Sequence, residues 1–80
     1  MQEEVRARIQ AAFPDAEIHL DGQDCSLNAV IVSAAFEGQG LLARQRAVMA
    51  TVQDLVSSGA LHALGLKTYT PEQWQAQKDA

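Results

Sequence analysis

Residues 61–74 read LHALGLKTYTPEQW. Leu64, Leu66 and Thr68 alternate with Gly65, Lys67 and Tyr69, a period of two that predicts a strand over LHALGLKTY. The strand is followed by Thr70-Pro71-Glu72-Gln73, which has the form of a capping box. Thr70 is the expected N-cap, Pro71 the first helical position, where a missing N–H costs nothing, and Gln73 the reciprocal partner. A strand that ends directly in a helix start sets the architecture, provided a helix also leads into it.

Upstream, Leu41 to Ser58 carries Leu41, Leu42, Val48, Met49, Val52, Leu55 and Val56, which predicts one long amphipathic helix. Gly59 stands where a left-handed cap residue belongs. A strand reached through a helical crossover lies parallel to its neighbour, with a right-handed connection. That neighbour is LNAVIVS (27–33), nearly continuous in apolar character and so expected at the centre of the sheet. Before it, Glu17 to Leu20 alternates, with Ile18 and Leu20 on one face and Glu17 and His19 on the other. DGQDCS (21–26) is turn chemistry, read as a hairpin loop of about six residues, longer than the tight two-residue kind. Val5, Ile9, Ala12 and Phe13 form one stripe on a first helix, which Pro14 ends. The expected fold is α+β in the order α-β-β-α-β-α. It has a three-stranded mixed sheet with helices packed on one face.

Eighty residues make a single domain, 1–80, with no repeat or linker. One cysteine excludes an internal disulfide and makes a reducing, cytoplasmic setting the expectation. No run is long and apolar enough to span a bilayer, and the charged start has no signal-peptide character. A net charge of -4 disfavours avid nucleic-acid binding, which depends on counterion release by Lys and Arg. A local basic patch of Arg44 and Lys67 stays open as a nucleic-acid contact. Gly38-Gln39-Gly40 before the helix lacks the GxxG spacing of a nucleic-acid clamp. No nucleophile, base and orienter are grouped, and there is no P-loop or dinucleotide fingerprint, so an enzyme is not expected.

Phe36-x-Gly38 ahead of the long helix, Arg46 within it, His62-Ala63-Leu64 and Thr70-Pro71-x-x-Trp74 occur in this order. Together they resemble the BolA family over about residues 5 to 75, most closely its bacterial YrbA (IbaG) branch. The resemblance implies a BolA-like fold similar to the second class of KH domains, in agreement with the element order above. It also implies a non-enzymatic adaptor that pairs with a monothiol glutaredoxin and shares a bridging [2Fe-2S] cluster. Such adaptors serve iron-sulfur trafficking, iron homeostasis or stress response. Some members have been proposed to bind DNA, so a KH-like nucleic-acid-binding regulatory module is the alternative.

A cluster of this kind needs four ligands, usually cysteine thiolates. The chain offers Cys25, His19 and His62 at most, so the missing ligands have to come from a partner glutaredoxin and glutathione. No cofactor is expected in the isolated apo-protein, which is expected to be a monomer or weak homodimer. His62 matches the family's C-terminal histidine ligand. By residue type alone the favoured reading is a backbone-bonded histidine at a strand start. The family places a second ligand, His or Cys, in the loop between the first two strands, where Cys25 lies. Counted back from Phe36, the family's histidine slot falls at Ser26 and its cysteine slot near Gln23. Cys25 as a ligand and Cys25 as an unspecialised turn thiol both remain open. His19 is expected in solvent and matters only as a substitute. Arg46 matches a basic position that can contact the glutathione carboxylate or the partner, or lie solvated on its helix.

Overall fold

A computed structural model describes all of residues 1–80. The elements are α1 (Gln2–Ala12), β1 (Glu17–Gln23), β2 (Ser26–Val32), a 3-10 turn (Ala34–Phe36), α2 (Leu41–Ala50), α3 (Gln53–Ser57), β3 (Ala63–Tyr69) and α4 (Pro71–Asp79). The sheet order is β1-β2-β3. β1 and β2 are antiparallel, and β2 and β3 are parallel, as the helical crossover requires. No helix is long and apolar enough to cross a membrane.

The α+β fold follows from the faces. Ile18, Leu27, Ala29 and Ile31 point from the sheet into one core with Val5 and Ile9 of α1, Phe36, Val48, Val52 and Leu61. Each Val, Leu, Ile or Phe among them contributes about 1.5–3 kcal/mol when fully buried. Phe13 tilts against Phe36 with ring centroids 5.3 Å apart, closing the bottom of the core. Helices α1 to α3 thus cover one face of the sheet. Helix α4 starts at the end of β3 and turns Trp74 toward Tyr69 and His19, at centroid distances of 5.2 and 5.5 Å. Those two residues lie on the other face by strand alternation.

Two expectations need correction. The hairpin loop is not about six residues long. Asp21 and Gly22 stay in the ladder, opposite Asn28 and Leu27, and Gln23 pairs with Ser26. Only Asp24 and Cys25 turn the chain. Positive φ at Gly22 (119°) and Asp24 (56°) makes this compact reversal feasible, because Gly and Asp tolerate that region best.

The single long helix is also two helices. Thr51 donates its hydroxyl to Val48 O at 2.7 Å, and the amides of Thr51 and Val52 bond three residues back, to Val48 and Met49. A β-branched pair with such back-bonding tightens the turn and breaks the helix. The break lets Val52 be fully buried. Leu41 and Leu42, expected in the apolar stripe, are instead 62% and 60% exposed. Gly59 adopts φ 83° after α3, as its position as a left-handed cap predicts.

Candidate metal centre

The parallel register sets Ser26 opposite Ala63. The residues just before them, Cys25 and His62, therefore share one corner of the sheet although they lie far apart in sequence. The carbonyl of Cys25 accepts from both the His62 and the Ala63 amides, at 2.8 and 3.1 Å. This forked main-chain bond ties the hairpin turn to the entry of β3. His62 is exposed and Cys25 half-buried. The tight turn matters here. A six-residue loop would have left Cys25 on a tether, whereas a two-residue turn places it against the end of β2. Leu61, fully buried just ahead of His62, anchors the segment from inside, and its amide bonds back to Leu55 O at 3.0 Å.

The chemistry of this corner is one imidazole and one thiol. No group of three or more His, Cys, Asp or Glu side chains that could hold a metal ion occurs in the chain. Two borderline-soft donors suit part of an iron site, and a four-ligand cluster cannot be completed from this chain alone.

His19 does not join them. It pairs across to Val30, four residues along β2 from Ser26, which is ~13 Å at strand rise. It is exposed, as alternation predicts; its Nε2 contacts Glu17 and its ring lies beside Trp74. Arg46 is exposed on α2 and takes no part in the chain's ion pairs.

Lys67 is exposed on the open sheet face, where it lines a groove with His19 and Asn28. Its proposed companion, Arg44, behaves otherwise. Arg44 is 8% exposed and lies over the Phe36 ring, 5.8 Å from its centroid. It donates to Gln39 O at 2.9 Å, to Gln73 Oε1 at 2.8 Å and more weakly to Thr68 O at 3.5 Å. Its Nε and Nη1 donors are engaged inside the protein and the side chain is almost wholly buried, so the expectation of Arg44 as a phosphate contact does not hold. Its role is to staple α2 to the start of α4. There the capping box is complete: Gln73 N donates to Thr70 Oγ1 at 3.2 Å, and Thr70 N to Gln73 Oε1 at 3.0 Å.

Sequence reasoning missed the residues that brace the opposite end of the sheet. Asp15 accepts from the Ser33 hydroxyl at 2.8 Å and from the Ala34 amide at 2.9 Å. These bonds, the Ala34 amide first, hold its carboxyl below the usual aspartate range. The hydrogen bond from Arg8 does the same for Asp54, and it raises the Arg8 guanidinium in turn. Asp15 directly after Pro14 carried a weak signal, since Asp is common in turns. Its partner eighteen residues on did not.

A family model described as BolA-like protein matches residues 4–73. A protein of Acinetobacter guillouiae, described as uncharacterized and encoded in the rpoN-murA intergenic region, is 37% identical over 73 residues. That match covers 91% of this chain and 88% of the relative. The acid stress protein IbaG of Escherichia coli K12 is 24% identical over 71 residues, covering 89% of this chain and 84% of that protein. Among solved structures, a bolA protein homologue from Coxiella burnetii superposes with a TM-score of 0.80 at 29% identity. It covers 94% of this chain and 96% of that one. None of these is named for an enzymatic activity.

Proposed function

This chain belongs to the BolA family, and from that premise we propose that it is an adaptor with no catalytic step of its own. It binds a monothiol glutaredoxin and lends His62 and Cys25 to a bridging [2Fe-2S] cluster. The remaining sulfur ligands come from the glutaredoxin and glutathione. The observation that supports this reading most is the fork at Cys25 O, which ties the only thiol to the His62 segment. A two-donor corner that cannot close a site alone is what a shared cluster needs. Arg46, exposed and free of ion pairs, is available to a carboxylate of glutathione or of the partner.

When bound, the cluster supplies one-electron redox and transferable iron and sulfide. An imidazole in place of a thiolate makes it less electron-rich and raises its potential. The chain's contribution is to present both donors on one rigid corner. Holding Cys25 by its carbonyl leaves the thiol free to act, and burying Leu61 limits the freedom of His62.

The test mixes the chain with a monothiol glutaredoxin, iron, sulfide and glutathione under anaerobic conditions. A heterodimer is expected whose visible absorption and circular dichroism differ from those of the glutaredoxin homodimer. His62→Ala abolishes that difference, and Cys25→Ser shifts or weakens it. His62 is exposed, so His62→Ala is expected to move the unfolding free energy by about 0.5 kcal/mol or less; for the half-buried Cys25 the melting temperature of Cys25→Ser serves as the folding control. Spectra identical to the glutaredoxin homodimer, or unaltered by both substitutions, would reject the proposal.

A further inference from the structure

His62 is tied to the sheet by its own amide, which donates to Cys25 O, and is held from behind by α3. The turn from Ser58 to Leu61 folds back onto that helix through one node, the Leu55 carbonyl. It accepts the Leu61 amide at 3.0 Å and the Ser58 hydroxyl at 3.1 Å. The Ala60 amide donates to Ser58 Oγ at 3.3 Å, and the Gly59 amide to Val56 O at 3.1 Å. Where His62 emerges from the fold therefore depends on where α3 lies.

Helix α3 cannot fix its own position. It has five residues, none of them fully buried, and only Leu55 and Val56 lean on the core. A helix so short is not stable in isolation. One side chain from outside residues 51–62 hydrogen-bonds to it. Arg8 of α1 donates from Nη1 to Asp54 Oδ1 and, at 3.5 Å, to the Thr51 carbonyl at the break between α2 and α3. Its Nε donates to Glu4 within α1 at 3.2 Å. Asp54 directly precedes Leu55, so the clamp grips α3 beside the node.

We propose that Arg8 and Asp54 are a positioning pair for the His62 ligand: they hold α3, and α3 holds the turn that presents the imidazole. The proposal rests on the cluster reading for what His62 does, but not for how His62 is held. An ion pair between exposed side chains adds little to global stability. This pair matters through its place, because it joins α1 to a short helix that no other element's side chain bonds. Loosening it frees the ligand segment by local opening, well short of unfolding the domain.

The test has two readouts. On the apo-protein, amide exchange is followed by NMR. In Arg8→Met the Leu61 and His62 amides are expected to exchange about two- to fivefold faster relative to Ile31 of the central strand, the scale of one exposed ion pair. Asp54→Asn gives the same change, and the double variant gives no more than either, because both substitutions remove one contact. In the glutaredoxin mixture, each single variant is expected to lose part of the shared circular dichroism that His62→Ala removes. This is measured below the variant's melting midpoint, where a merely structural role leaves the signal intact. Arg8→Lys keeps a cation opposite Asp54 and restores both readouts in part. Equal acceleration of Leu61 and Ile31 overturns the proposal. So do additive effects in the double variant, or a native spectrum in both single variants. If the native mixture itself shows no shared spectrum, the cluster reading falls, and the exchange ratio alone decides whether the pair holds the His62 segment.

Discussion

The two ends of the sheet are built on opposite plans. At the Val32–Tyr69 end, side chains from two helices, α2 and α4, and from two loop positions, Asp15 and Ser33, interlock. Asp15 holds Ser33 and Ala34, Ser33 N donates to Tyr69 O at 3.0 Å, and Arg44 ties Gln39, Thr68 and Gln73 together. At the Ser26–Ala63 end, a single main-chain carbonyl holds the corner, and the chemically versatile side chains of Cys25 and His62 are left over. The braced end pins the architecture and has nothing to offer a metal. The sparse end offers donors, and its direct side-chain support is limited to buried Leu61 and two exposed bonds at the hairpin, Gln2 Nε2 to Gly22 O and Gly22 N to Asp21 Oδ1. That division lets a small domain hold a half-built ligand site without unfolding around it.

The sharpest way to break the sparse end is Gly22→Ala. A Cβ at Gly22 would lie 2.4 Å from Ser26 O and 2.9 Å from Leu27 Cα, and both are main-chain atoms. Its φ of 119° is a further strain for any L side chain. The hairpin must shift, at an expected cost of about 3 kcal/mol or more. The turn that carries Cys25 shifts with it. Urea unfolding reads the first effect. The circular dichroism of the glutaredoxin mixture reads the second, where Gly22→Ala is expected to resemble Cys25→Ser.

At the braced end the matching change is Arg44→Met, which keeps the aliphatic packing over Phe36 and removes the donors. Loss of charge-assisted bonds that leaves buried acceptors unpaired costs about 2–3 kcal/mol. For a domain of this size each kcal/mol lowers the melting temperature by about 4–8 °C. The cluster spectrum is expected to be unchanged below the new midpoint. An Arg44→Met variant that melts normally but loses the spectrum would show that the two ends are not independent.

The braced end was half legible in the sequence and the sparse end was legible only in its residue types. Thr70, Pro71 and Gln73 announced the capping box because capping is local: each partner lies within three residues of the other. Gly59 was legible for the same reason. Arg44 was not, because its burial depends on Phe36 and Gln73, which only the assembled fold brings to it. The helix break at Thr51 turns on a hydroxyl competing with the ladder, which apolar periodicity does not register. The hairpin was misjudged because Asp21-Gly22 is the stronger turn signal by composition. The register instead keeps Gly22 in the ladder and turns at Asp24. His62 and Cys25 were identifiable as donors, but their adjacency is a property of the β2–β3 register.

The smallest expected effect concerns Asp15, whose two accepted hydrogen bonds fix where the chain leaves β2. They favour its charged form, so the folded protein holds this carboxyl below the ordinary aspartate value of about 3.9. A depressed folded value means that the unfolded chain binds a proton more readily than the native one does. The stabilisation is therefore full above the unfolded value and is lost as pH falls through the folded one. Asp54 behaves alike through Arg8, at a site apart from the sheet ends. Thermal midpoints measured from pH 7 downward are expected to fall in the acid range, and Asp15→Asn flattens part of that fall. Because Asp15 is exposed, the change is small beside that of Arg44→Met. The variant is informative for where it acts. Asp15 braces the Tyr69 end only, so Asp15→Asn is expected to speed amide exchange at Ser33 and Ala34 while leaving the His62 amide, held by Cys25 O at the other end, as protected as before.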